Sequence, residues 1–182
     1  MGSLRSIGSK EVQAGVARLA HAIRDVHGAD SDLWIVGIAN GGIALAQRIS
    51  AALRGAGRHV RTGTVDVSFH RDDIGRHPIP KEFAPTILPG DVTGSTVVLV
   101  DDVLFTGRTA KAALDELFDH GRPARVALAV LVDRGGRRLP ISADYVGLAV
   151  AADAEERVSV RLDLEQPERD AIRIAPARPQ TA

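Results

Sequence analysis

The chain has 182 residues and no cysteine, which suits one domain with a substantial core and excludes disulfides and thiolate metal sites. It lacks the run of about 18 apolar residues that a membrane span requires, so we expect a cytoplasmic protein with no membrane partner. Its 23 basic and 23 acidic side chains cancel, whereas nucleic-acid binders usually carry a basic excess.

The first elements alternate between helix and strand. Residues 1–9 are small and polar, so we expect them to be flexible, and apolar residues at helical spacing predict a helix over 10–26. A continuous apolar run predicts a buried strand over 33–38, and a further helix is predicted over 43–53. The turn between them has glycines that let backbone amides approach a ligand; the alternative is a simple helix-entry turn with Asn40 as its N-cap. This turn consists of Ala39, Asn40, Gly41 and Gly42.

A long segment without a regular pattern follows the next strand. Alternating residues predict that strand over 63–68, and residues 70–94 are then rich in proline and glycine. Structureless loops of this length are uncommon in compact domains, so we predict a flexible active-site loop here, with a plain surface excursion as the alternative. A lid at this place would shield a reactive substrate from water.

The most informative stretch is 97–109, which reads VVLVDDVLFTGRT. Its four apolar residues predict a buried strand that ends at two adjacent acids, and a helix is predicted over 110–120 from Leu114, Leu117 and Phe118. The loop between them would lie at the carboxyl edge of a sheet, where open α/β sheets bind ligands and free N–H groups of a helix start favour an anion. The stretch therefore predicts a phosphate site that faces an acid pair, with a sugar between them. The alternative is a strand whose acids merely cap the loop.

The last third of the chain contains further strands. They are predicted over 125–132, 145–150 and 158–162, and residues 176–182 are expected to be flexible. Consecutive strand, loop and helix units imply an α/β fold with a central, mostly parallel sheet flanked by helices. Because no repeat or second domain is visible, we expect a single domain over 1–182.

The stretch 97–109 resembles the phosphoribosyl pyrophosphate (PRPP) signature of type I phosphoribosyltransferases. The resemblance implies the type I phosphoribosyltransferase fold, with a small hood and a flexible loop. It assigns the acid pair Asp101 and Asp102 to the ribose hydroxyls as the catalytic acids, and the turn 39–42 to the diphosphate. Mg²⁺ would be carried by PRPP, with no protein ligand of its own. The 5′-phosphate would be bound by Val103, Leu104, Phe105, Thr106, Gly107, Arg108 and Thr109.

Most of the chain also resembles the PyrR family, pyrimidine-operon attenuators that bind mRNA with UMP or UTP and often act as uracil phosphoribosyltransferases. The matching blocks run collinearly through residues 10–165 and include RLAH (18–21), RDD (71–73), the signature, and LVDRG (131–135). This resemblance implies uracil, PRPP, UMP and an mRNA leader as partners, and a homodimer or homotetramer. It implies base contacts at Val132, Asp133 and Arg134, a flexible loop that begins at Arg71, Asp72 and Asp73, and RNA contacts at Arg18, His21, Arg137 and Arg138.

Two departures from the PyrR pattern leave the function open. The family commonly has Thr-Arg-Gly where this chain has Asn40-Gly41-Gly42, and loss of that charged contact could lower turnover by about a hundredfold or more. Residues 148–156 are apolar and acidic, and Ala17 replaces a threonine, which would remove RNA phosphate contacts. The alternatives are a transferase that no longer binds RNA, or a nucleotide-binding regulatory protein with reduced or lost activity.

Overall fold

Two continuous apolar runs form the centre of the fold. The computed structural model describes residues 4–28, 32–67 and 85–177, and within it all six residues of the second strand and residues 97–100 of the fourth are buried. Strands buried on both faces are typical of a parallel sheet covered by helices. The strands are β1 (Arg5–Ile7), β2 (Leu33–Ile38), β3 (Arg61–Val65), β4 (Thr96–Leu104), β5 (Arg125–Asp133), β6 (Tyr145–Ala149), β7 (Glu156–Arg161) and β8 (Ala171–Pro176). The helices are α1 (Ser9–Val26), α2 (Gly41–Gly55) and α3 (Arg108–Asp119), and a short 3₁₀ helix spans Pro167–Arg169.

The central sheet has five parallel strands in the order β3-β2-β4-β5-β6. Helices α1 and α2 pack on one face, where their leucines, isoleucines and valines meet Ile35, Val98 and Leu131. Helix α3 covers the other face and meets Trp34 and Leu99. This arrangement confirms the predicted α/β fold. No helix in the described ranges is long and apolar enough to cross a membrane.

A second, antiparallel sheet in the order β1-β8-β7 forms a hood. Regular structure extends into both predicted flexible ends, since Arg5–Ile7 forms β1, Ser9 begins α1, and β8 extends to Pro176. Residues 1–3 and 178–182 lie outside the described residues, so their flexibility stays a prediction. Ile172 and Ile174 are buried against the core that α1 and α2 also line, and this burial holds β8 in place. The pairing of β1 with β8 joins opposite ends of the sequence, which a local pattern does not reveal.

Several element boundaries differ from the sequence-based predictions. Strand β4 continues through both acids to Leu104, and α2 begins at Gly41 rather than at residue 43. The buried face of α3 consists mainly of alanines together with Leu117, whereas Phe118 is 38% exposed. The predicted flexible loop is shorter at its C-terminal end than 70–94, because Ile87 pairs with Thr64 and Val92 is fully buried. Its residues 70–84 lie outside the described residues.

Candidate active site

The predicted site lies where β2, β4 and β5 end. These three strands are parallel neighbours, so the segments that follow them meet at the same edge of the sheet. Register places Val103 beside Val132 and Leu104 beside Asp133. The structure therefore brings together the predicted diphosphate turn (39–42), the acid pair, the phosphate loop (104–107) and the base segment (132–139).

The diphosphate turn is packed tightly against β4. A Cβ atom added to Gly42 would lie 1.9 Å from the carbonyl oxygen of Val100, and one added to Gly41 would lie 2.5 Å from an oxygen of Asp102. At position 42, where the clash would be with backbone atoms, only glycine permits this close approach of the start of α2 to β4. Asn40 stands at the N-cap position but its side chain makes no capping hydrogen bond, and the Ala39–Asn40 peptide bond is cis.

The acid pair lies inside β4, so the strand itself fixes both backbones. Asp101 is buried, and its carboxylate accepts a hydrogen bond of 2.9 Å from the backbone N–H of Asp102. Burial raises the pKa of Asp102, although hydrogen bonds that involve the backbone of Val103 and the side chain of Asp101 oppose this effect. Hydroxyl donors or positive charge on a ligand would stabilise the ionised form of this buried acid, as ribose and its developing cation would.

The phosphate loop turns its carbonyl groups toward the base segment. The carbonyl of Leu104 accepts from the N–H of Arg134 at 3.2 Å, and that of Thr106 accepts from Arg138 and Leu139 at 3.0 and 3.1 Å. Because C=O and N–H point in opposite directions in a trans peptide, the N–H groups of residues 105–107 face the other way. Among the described residues, none of these three N–H groups donates to another residue. N–H groups left available in this arrangement at the start of a helix form a nest that is suited to an anion, so phosphate binding here stays a prediction.

Individual side chains of the predicted phosphate site differ in role. Gly107 has a φ of +89°, a left-handed conformation that glycine adopts without strain. Leu104 is buried and Val103 packs against the core, so these two contribute backbone only. Thr106 and Thr109 are partly exposed at the start of α3, where their hydroxyls add donors, and Arg108 is exposed.

The base segment begins with side chains that already have protein partners. Val132 is fully buried in the core, so it can offer only its backbone to a base. Asp133 accepts from the N–H of Gly135 at 2.9 Å and pairs with Arg137. Burial would raise the pKa of Asp133, but Arg137 and the Gly135 N–H outweigh it and lower that pKa.

Arg134 connects the base segment to the hood. Its guanidinium donates to the carbonyls of Glu156 and Asp153, each at 2.7 Å, and lies 4.0 Å from the centroid of the Phe105 ring. The side chain is thus directed at the hood and at the phosphate loop. Its contact with a base stays a prediction, as do those of Val132 and Asp133.

The predicted RNA contacts are not equivalent. Arg18 and His21 lie on the exposed side of α1, where Arg18 donates to the carbonyl of Gly147, and Arg138 is exposed. Arg137 instead donates hydrogen bonds within the site, to the carbonyls of Phe105 and Ile141 and to the carboxylate of Asp133. Its position in the sequence did not indicate these contacts. The flexible-loop residues Arg71, Asp72 and Asp73 lie outside the described residues.

The fold and this edge of the sheet define the class of type I phosphoribosyltransferases. The phosphoribosyl transferase domain family matches residues 8–163. A solved structure of the Trypanosoma cruzi hypoxanthine phosphoribosyl transferase aligns with a TM-score of 0.66 at 23% identity, over 98% of this chain and 92% of that one, and supports the fold alone.

Curated relatives narrow the family further. The "Bifunctional protein PyrR" of Chloroflexus aurantiacus is 49% identical over 165 residues, which cover 89% of this chain and 90% of the relative. The protein of the same name from Corynebacterium efficiens is 45% identical over 172 residues, or 91% and 88% of the two chains. The chain therefore belongs to the PyrR family of phosphoribosyltransferases.

Proposed function

We propose that this protein transfers the ribose 5-phosphate group of PRPP to N1 of uracil and so forms UMP and diphosphate. The observation that carries the proposal is the close approach of Gly41 to Asp102, whose carboxylate occupies the place of a Cβ at position 41, because it brings the diphosphate turn next to the acids assigned to ribose. The nest of N–H groups at 105–107 supports it at the 5′-phosphate end. Membership of the PyrR family points to uracil as the base.

The proposed chemistry follows from charge and position. The bond between the anomeric carbon and the diphosphate oxygen breaks with its electron pair on the diphosphate, and N1 of uracil forms the new bond to that carbon. The N1 proton passes to the departing diphosphate. Positive charge grows on the ribose, next to the carboxylates of Asp101 and Asp102, while the phosphate loop holds the far end of the sugar. The protein then acts by positioning and charge stabilisation and needs no covalent nucleophile.

Magnesium fits this site through oxygen chemistry. Within the described ranges, no group of three His, Cys, Asp or Glu side chains stands close enough to hold a metal by itself. The acid pair and the phosphate oxygens of PRPP are, however, the hard oxygen donors that Mg²⁺ prefers. When bound with PRPP, the metal would neutralise charge on the departing diphosphate.

A direct assay tests the proposal. Purified protein is incubated with uracil, PRPP and Mg²⁺, and UMP is measured by chromatography. We expect UMP from the unaltered protein and at least about a hundredfold less from Asp101→Asn/Asp102→Asn. The matched control is Asp119→Asn, at an exposed acid at the end of α3, which should keep the rate. No UMP from the unaltered protein, or equal rates in the acid-pair variant, would overturn the proposal.

The missing arginine at position 41 defines the alternative, a nucleotide-binding regulatory protein with reduced or lost transferase activity. Binding of UMP or PRPP in a calorimeter without turnover would favour this alternative. Gly41→Arg tests the cause, because the added charge can contact the diphosphate and raise the rate. Its Cβ would first have to displace the carboxylate of Asp102, which stands 2.5 Å away.

We infer a second, regulatory function, binding of a pyrimidine-operon mRNA leader in the presence of UMP, from the family and from the exposed Arg18, His21 and Arg138. Its affinity should be low, because Leu148, Val150 and Ala152 pack against the core and offer no phosphate contact. A gel shift with the leader of the protein's own operon, with and without UMP at two salt concentrations, tests this function. A UMP-dependent shift supports it, and no shift at the lower salt concentration contradicts it.

We also expect a homodimer or homotetramer, as the family resemblance implies. Sedimentation equilibrium of the purified protein measures this state directly. A monomer at all concentrations would contradict the expectation.

A further inference from the structure

We propose that Arg137 is a positioning residue that holds the phosphate loop in its anion-binding conformation and couples this loop to the base segment. This inference rests on the proposed function, since it concerns how the same site holds a ribose 5-phosphate. It also gives Arg137 a different role from the RNA contact that the sequence predicts.

The guanidinium of Arg137 is surrounded by acceptors of the site. Its Nη1 donates to the carbonyl of Phe105 at 2.9 Å and lies 3.4 Å from that of Leu104. The same atom is 3.2 Å from the carbonyl of Gly135, and Nε donates to that of Ile141 at 3.1 Å. Nη2 donates to the carboxylate of Asp133. A planar fork with five donors is suited to such a set of acceptors, and a lysine ammonium is not.

The contact with Phe105 explains why the loop can receive an anion. A loop that presents its N–H groups to a phosphate must turn its carbonyls away, and each carbonyl then needs a donor on the other side. Backbone N–H groups of the base segment supply the donors for Leu104 and Thr106. For the carbonyl of Phe105, between them, the donor is the side chain of Arg137. Removing this side chain would leave the central peptide of the nest free to turn.

The ion pair with Asp133 extends the effect to the base. Asp133 is one of the residues assigned to the base, and Arg137 links it to the carbonyl of Phe105 through one rigid group. The two binding segments therefore move together, and occupation of one favours the bound conformation of the other. The guanidinium is also partly buried, with 22% of the side chain exposed, and its donors face the protein rather than an external polyanion.

The test measures UMP affinity by calorimetry in Arg137→Met, Arg137→Lys and the matched control Arg125→Met. Arg125 is an exposed arginine at the opposite end of β5. We expect the dissociation constant for UMP to rise about tenfold in Arg137→Met, the size of one lost hydrogen bond from a charged donor, and not to change in Arg125→Met. Arg137→Lys should recover only part of the affinity, because it keeps the charge but loses the fork.

A second measurement separates this inference from the proposed function. Hydrogen exchange of a peptide that spans 103–110, in protein without ligand, should be faster in Arg137→Met than in the unaltered protein and in Arg125→Met. If the unaltered protein binds no UMP, the proposed function fails, and the exchange rates alone decide the role of Arg137. Unchanged exchange in Arg137→Met, or equal loss of UMP affinity in both methionine variants, would overturn the inference.

Discussion

Gly42→Ala tests whether close packing of α2 on β4 creates the diphosphate turn. The added Cβ would stand 1.9 Å from the carbonyl oxygen of Val100 and 3.1 Å from the Cα of Asp101. Real Cβ atoms essentially never approach a neighbour below 3.0 Å, so the helix start and the strand must separate by about 1.1 Å. Both partners are backbone, which no change of rotamer can relieve.

The magnitude follows from this separation. Overpacking a well-filled site typically costs about 1–3 kcal/mol, and a clash between two backbones belongs at the upper end. At about 3 kcal/mol, the Tm of a domain of this size should fall by about 6–12 °C. The displaced turn should also hold PRPP less well. Because a shift of about 1 Å in a positioning group can lower a reaction rate by about a hundredfold, turnover should fall by up to that factor.

Two other glycines of α2 make a graded series for the same assays. Gly55, the last residue of α2, has no neighbour within 4 Å of an added Cβ, so Gly55→Ala should be neutral or stabilising by up to about 1 kcal/mol. Gly41→Ala clashes only with the carboxylate of Asp102, which can rotate, so it should change PRPP binding more than Tm. Thermal unfolding and the KM for PRPP measure the two effects. Equal Tm values for Gly42→Ala and Gly55→Ala would refute the reasoning.

Three further substitutions test the electrostatics of the fold. Asp102→Asn should raise the Tm at pH 7 while it lowers turnover, because burial raises the pKa of this acid and its ionised form therefore destabilises the fold. The gain in Tm should vanish as the pH falls toward the ordinary pKa of 3.8. A lower Tm at pH 7 would contradict this prediction. Asp133→Asn should lower the Tm at pH 7, because the lowered pKa of this acid means that its ionised form stabilises the protein above pH 3.8, a contribution that is lost as the pH falls. An unchanged Tm at pH 7 would count against a stabilising pair of Asp133 and Arg137. Arg48→Ala should lower the free energy of unfolding in denaturant by about 3–5 kcal/mol, because it leaves the fully buried carboxylate of Asp170 without its ion pair. The double change Arg48→Ala/Asp170→Ala should lower it by less than the two single changes combined.

The sequence predicts the three inner strands of the central sheet well, because β2, β4 and β5 contain continuous buried runs, whereas β3 lies over Arg61–Val65 rather than 63–68. Strand β2 has the predicted bounds at both ends, and β5 differs by one residue. The hood was predicted less completely. Strand β8 alternates over only six residues, and its burial depends on partners that are far away in the chain. Short strands of this kind become visible only through pairing, which local periodicity does not contain.

The candidate site also has one part that the sequence predicts and one part that it does not. The acids and the Thr-Gly-Arg-Thr sequence are adjacent in the chain, so one motif predicts their common location. The role of Arg137 depends on its contact with the carbonyl of Phe105, 32 residues earlier, and backbone carbonyls leave no mark in a sequence. Arg134 likewise depends on two carbonyls near the start of β7. An arginine at a strand end therefore predicts an external anion as readily as an internal contact.

Gly41 and Asp102 explain each other's environment. The carboxylate of Asp102 stands where a side chain at position 41 would begin, and burial raises its pKa. A cation at position 41 would favour the ionised form of this acid and would also contact the departing diphosphate. The absence of a cation at position 41 therefore affects both Asp102, on the ribose side of the bond that breaks, and the diphosphate on its other side. Mg²⁺ carried by PRPP and the developing cation on the ribose would each supply part of the charge that position 41 lacks.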